Sequence, residues 1–129
     1  MFVDASALVA MLFVEPEAGD LSRCLEAAGG GVTSPLALFE ASAALMRRPT
    51  TRAQADLEIN ELLQETNISI VPITPEIGQL ALIAFERYGK GRGHPAQLNM
   101  GDCFAYACAQ SFAVPLLYKG DDFARTDLG

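Results

Sequence analysis

Short apolar runs alternate with longer helical ones along almost the whole chain, and no other feature restricts the fold as much. Phe2-Val3, Val32-Thr33, Ile68–Ile73 and Val114–Tyr118 read as buried strands. The segments between them read as helices: Ala5–Phe13, Glu17–Ala28, Leu36–Arg48, Ala53–Thr66, a segment from Pro75 carrying Ile77, Ala81, Ala84 and Tyr88, and a last one from Gly101 to Phe112. Strands and helices in alternation build a parallel sheet flanked by helices. The punctuation agrees. Glu15-Pro16 closes the first helix, because the residue before proline resists helical backbone, and Gly29–Gly31 ends the second. Ser34-Pro35 opens the third as cap and first helical residue, and Arg47 and Arg48 fall in its last turn, where cations complement the helix dipole. In Ala53–Thr66 the residues Ala55, Ile59 and Leu62 form an apolar stripe, while Asp56, Glu58, Glu61 and Glu65 face water.

The expected architecture is an α/β chain of one domain, residues 1–129, half hydrophobic and only 19% charged. The opening apolar run, Ala5–Val14, is about half a membrane span and has no Lys or Arg ahead of it, so a cytoplasmic protein without a membrane segment is expected. Three cysteines, Cys24, Cys103 and Cys108, make no disulfide framework and no zinc pair, and read as buried apolar residues. The net charge of −7 argues against non-specific nucleic-acid affinity, but acids reserved for cations would reduce that excess.

Acidic residues stand where this pattern should be buried. Asp4 follows the first strand, Glu40 lies inside the apolar helix LALFEASAAL, Asp102 opens the last helix, and Asp121 and Asp122 follow the last strand. A carboxylate buried alone is costly and either protonates or finds a cation. Each has a simpler role: Asp4 as a helix cap, Asp102 as a favourable charge at a helix N-terminus, the Asp121-Asp122 pair as turn residues. Glu40 has no such role, since four residues on stands Ala44 and not a base. In parallel sheets ligands bind at the carboxyl ends of strands, where Asp4 and the Asp121-Asp122 pair both fall. Converging, these oxygens suit Mg²⁺ or Mn²⁺.

The single histidine excludes a two-histidine acid–base ribonuclease, and the chain has neither a GxxxxGK[ST] loop nor a GxSxG elbow. A haloacid-type phosphatase needs a second Asp two residues after the first, where Ser6 stands. What remains is metal-assisted hydrolysis of a phosphodiester.

The segments VDASALVAML, ALFEASAAL, YGKGRGHPAQLNMGDCFAYACA and PLLYKGDDFARTDL, spanning nearly the entire chain, resemble the PIN-domain ribonucleases, specifically the VapC toxins of bacterial toxin–antitoxin pairs. The resemblance implies a three-layer α/β/α sandwich around a parallel sheet of four or five strands. It further implies a Mg²⁺- or Mn²⁺-dependent endoribonuclease acting on single-stranded RNA, such as a loop of tRNA or rRNA, and leaving a 5′-phosphate and a 3′-hydroxyl. The family's acids fall on Asp4, Glu40 and Asp102, and its fourth on Asp121 or Asp122, with Asp4 and Asp102 expected as direct ligands and Glu40 and Asp121 completing the cluster. By the same resemblance the partners are a VapB-type antitoxin and a second copy of the chain, with Leu12 and Phe13 among the apolar residues available for contact.

Lys90, Arg92 and His94 form the one local basic cluster. It reads either as a solvated loop or as a rim gripping RNA phosphates, with Arg47, Arg48 and Arg52 extending it. Ser6 reads either as a helix-start serine or as a partner of a ligand or phosphate. The alternative to the nuclease is a catalytically silent PIN-fold module that binds RNA or protein. Occupation of every acidic position argues against it.

Overall fold

A computed structural model describes residues 1–129. Strands β1 (Phe2–Val3), β2 (Gly31–Thr33), β3 (Ile68–Ile70) and β4 (Leu116–Leu117) form one sheet in the order β3-β2-β1-β4, every pairing parallel. Helices α1 (Ala5–Leu12), α2 (Ala18–Ala28), α3 (Pro35–Leu45) and α4 (Arg52–Glu65) precede β3; α5 (Pro75–Tyr88) and α6 (Met100–Phe112) follow it.

Successive strand residues face opposite sides of a sheet, and β1 shows the consequence. Phe2 belongs to the apolar core beneath α5 and α6, and Val3 to the core beneath α1–α4. Leu116 and Leu117 divide in the same way. The result is the expected three-layer sandwich, its four strands within the expected range. No helix is long and apolar enough to cross a membrane.

The helix starts decide where function can sit. Asp4, Ser34 and Thr74 each follow a strand closely and cap the next helix, their side-chain oxygens accepting from Ser6 N, Ala37 N and Ile77 N. Strand ends and helix N-termini therefore share one rim of the sheet. Thr33, wholly buried, donates its hydroxyl to Val3 O at 2.8 Å and ties β2 to β1 just below that rim.

Several local expectations shift. α3 ends at Leu45, so Arg47 and Arg48 lie in an exposed turn past the helix and not in its last turn; Arg48 stacks on the Phe13 ring at 3.5 Å. In α4 the buried stripe is Ala55, Ile59 and Leu63, a strict four-residue spacing, with Leu62 only half-buried. In α2, Leu21 and Leu25 share the buried face by the same spacing, which leaves Cys24 and Ala28 exposed, contrary to the reading of all three cysteines as buried. Cys103 and Cys108 are buried, and burial pushes each thiol up to about 11. β3 stops at Ile70, an edge strand with Ile70 exposed.

Candidate active site

Four elements bring carboxylates to the rim. Asp4 ends β1 and caps α1; it is 6% exposed, and its Oδ2 accepts from Ser6 N at 3.1 Å and from Ser6 Oγ at 2.6 Å. Glu40 projects from the middle of α3, half-buried. Asp102 sits in the first turn of α6 and is 8% exposed. Its Oδ2 accepts from Asn99 N at 3.1 Å, while Asn99 Oδ1 accepts from Asp102 N at 2.8 Å, a reciprocal capping box that leaves Oδ1 of Asp102 for another partner. Asp121 and Asp122 are exposed in the loop after β4.

Electrostatics shows which of these face one another. Burial raises the Asp102 carboxyl to about 7, and the charges of Asp122, Asp4 and Glu40 push it the same way. Burial likewise raises Asp4, against hydrogen bonds from Ser6 and Ala5 that favour its charge, with Asp122 adding to the rise. Glu40 is raised by burial and by Asp4. Asp102 thus feels the charges of Asp4, Glu40 and Asp122, Asp4 that of Asp122 and Glu40 that of Asp4, and no salt bridge neutralises any of these acids. Asp122, and not Asp121, is among the charges that act on Asp4 and Asp102.

Gly101 sets where the Glu40 carboxylate rests. A methyl group on it would lie 2.5 Å from Glu40 Oε2 and 2.6 Å from Oε1, so the glutamate carboxylate occupies the space a side chain would take, directly beside Asp102. The glycine before the aspartate in GDCFAYA therefore leaves open the space in which the Glu40 carboxylate rests, a signal present in the sequence but readable only once the helices meet.

Ser6 has a structural task. Its hydroxyl donates to Asp4 Oδ2 and accepts from Lys119 N at 3.0 Å, joining the first acid to the loop that carries the last. Lys119 is held in addition by Glu15 at 2.8 Å and Glu17 at 3.4 Å. Neither Lys119 nor the two glutamates stood out in the sequence.

The basic loop is ordered by its own backbone, with Lys90 N donating to Leu98 O at 2.8 Å. His94 is half-buried against the edge of Tyr88, and its Nδ1 accepts from Ala96 N at 3.0 Å, so it braces the loop. Lys90 and Arg92 are exposed. Lys90 lines a cavity of about 410 Å³ with Phe85, Asn99, Met100 and Cys103, which brings it to the end of α6 that carries Asp102. None of the three is among the groups that shift the acids. Arg52 pairs with Asp56 at 3.5 Å.

The carboxylates lie within electrostatic reach of one another without closing on a single point; no three His, Cys, Asp or Glu side chains stand close enough to grip one ion jointly. Their chemistry nonetheless fits a hard divalent cation: oxygen donors only, mutually repelling, with no base to compensate them.

The PIN domain family model matches residues 1–128. A VapC ribonuclease of Rhizobium meliloti is 44% identical over 140 aligned residues, covering 99% of each chain. Ribonuclease VapC42 of Mycobacterium tuberculosis is 37% identical, covering 99% of this chain and 96% of its own. Among solved structures, VapC20 of the same organism, described as a sarcin–ricin loop cleaving toxin, superposes with a TM-score of 0.71 over 98% of this chain and 94% of its own. At 17% identity that likeness speaks for the fold. The chain belongs to the PIN-domain family and, within it, to the VapC ribonucleases. It is by that membership a nuclease, a hydrolase of phosphodiester bonds.

Proposed function

We propose that residues 1–129 act as a single PIN domain, the toxic endoribonuclease of a toxin–antitoxin pair, cleaving single-stranded RNA in tRNA or rRNA loops with Mg²⁺ or Mn²⁺ held by Asp4, Glu40, Asp102 and Asp122. The observation that carries it is that separate elements deliver buried Asp4 and Asp102, half-buried Glu40 and the Asp121-Asp122 loop to one rim without a neutralising salt bridge. Protons or bound cations relieve the charge of such a set.

In this reading Asp4 and Asp102 are the direct ligands, being the most buried. Glu40, seated against Gly101, and Asp122 complete the shell. The backbone carbonyl of Asp121 accepts from Ala124 N at 3.1 Å. Ser6 and Asn99 fix the orientation of the two direct ligands, each through Oδ2. When bound, the cations lower the pKa of water and offset charge on the leaving 3′ oxygen. Lys90 and Arg92, on the exposed loop that leads into α6, are suited to draw phosphates toward that end of the site.

The partners follow at the same level: an RNA substrate, a VapB-type antitoxin covering the acidic rim, and a second copy of the chain, in the cytoplasm. Exposed Leu82 (61%), Phe85 (41%) and Met100 (66%) border one cavity between α5 and α6, an apolar surface that a homodimer would cover.

The test is incubation of total cellular RNA with purified protein in Mg²⁺, Mn²⁺ or EDTA, beside Asp102→Asn. Discrete fragments that require metal and disappear in the variant support the reading, and their ends identify the target. Intact RNA in every metal, from folded protein free of antitoxin, overturns it in favour of a silent binding module.

A further inference from the structure

Asp127 lies outside the acidic set, yet it is tied into the fold more firmly than an exposed loop residue needs to be. Its Oδ1 accepts from the hydroxyl of Tyr106 in a short hydrogen bond and from the hydroxyl of Tyr88 at 3.3 Å, while its backbone N–H donates to the Tyr88 oxygen at 3.4 Å. Both tyrosines are 3% exposed, and their rings meet edge to face at 5.5 Å. The two hydroxyls hold the Asp127 carboxyl below its ordinary range, so it stays ionised wherever the enzyme works.

The placement of these partners matters. Tyr88 is the last residue of α5, and Tyr106 is one turn beyond Asp102 on the same helix. From Asp127 back to the acidic pair the chain is a run of tight turns: Thr126 N and Thr126 Oγ1 both donate to Phe123 O, at 3.0 and 2.8 Å, and Ala124 N donates to Asp121 O at 3.1 Å. Phe123 is buried, its ring 5.0 Å from that of Tyr118. Hydrogen-bonded turns thus connect Asp127 to the segment that carries Asp122.

We propose that Asp127 is a positioning residue: clasped by Tyr88 and Tyr106, it holds the loop bearing Asp122 in register with Asp102 on α6. One end of that loop is fixed to Asp4 through Ser6 and Lys119, and the clasp fixes the other end to the helix of the third acid. The proposal rests on the reading that Asp102 and Asp122 serve a common cation.

The experiment is Mn²⁺ binding to the RNA-free full chain, followed by electron paramagnetic resonance, with Tm and steady-state cleavage measured alongside. Asp127→Ala is expected to weaken Mn²⁺ about tenfold and to lower kcat with KM for RNA unchanged, the loss expected for one charge-assisted tie. Tyr106→Phe, which removes only a hydroxyl, is expected to shift both in the same direction by a smaller factor. Asp127→Asn, still an acceptor, should recover most of the Mn²⁺ affinity. Wild-type Mn²⁺ binding in Asp127→Ala and Tyr106→Phe, with only Tm lowered, would reduce the clasp to a structural tie and overturn the proposal. Asp102→Asn separates the two ideas: if it too leaves Mn²⁺ binding intact, the shared-cation reading has failed and the positioning role with it.

Discussion

Asp102 is the residue on which the most physics converges. It caps α6, faces three other acids, and carries a carboxyl pushed up to about 7 by burial and by those neighbours. In the unfolded chain the same group titrates near 3.8. The folded protein thus binds this proton more tightly, so the associated stability is fully present below about pH 4 and is lost as pH rises through about 7. With EDTA present, Tm should fall over that interval. Asp102→Asn should remove much of the fall, raising stability at pH 8 by about 1–3 kcal/mol, less than the full shift implies because the site is partly open to solvent. Asparagine can still accept from Asn99 N, so the cap survives while cleavage is abolished. The same proton competes with a cation, and Mn²⁺ affinity should weaken by about tenfold per pH unit below 7, measurable by titration at several pH values.

At the scale of elements, the acids depend on contacts between segments more than on the segments themselves. Gly101→Ala would drive a methyl into the Glu40 carboxylate. Cleavage should fall at least tenfold while far-ultraviolet circular dichroism stays unchanged, because Glu40 is displaced by a distance that matters to orientation and not to the helix. Asn99→Ala deletes one half of the capping box and should cost about 1 kcal/mol in chemical denaturation. What the sequence made legible follows this division. Strand–helix alternation, the Ser34-Pro35 start and the acids at Asp4, Glu40 and Asp102 are local signals, carried by periodicity, caps and a charge inside an apolar run. The end of α3 before Arg47 and the exposure of Cys24 are tertiary outcomes. Each is decided by a partner distant in sequence or by which neighbouring face packs first. Ser6 shows the boundary: its place two residues after Asp4 drew notice, but its acceptance from Lys119 N could not be read from either segment.

The whole molecule carries an excess of negative charge and must still engage RNA. If Lys90 and Arg92 supply the local compensation, the double variant Lys90→Ala/Arg92→Ala should bind a single-stranded RNA more weakly and with a shallower salt dependence, the log–log slope falling by about 1.4 for two lost phosphate contacts. Mn²⁺ affinity should not change. Equal RNA affinity would return the loop to a structural role. A last consequence follows from β1 lying between β2 and β4, with Ser6 hydrogen-bonded to a residue 113 positions away. Synthesis is vectorial, and a nascent chain exposes Asp4, Glu40 and Asp102 in turn with β1 still unpaired on one edge and Ser6 without its acceptor contact. Only when the segment after β4 clears the translating machinery can the fourth acid arrive. The order of elements along the chain therefore makes the segment after β4 the last to join the acidic rim.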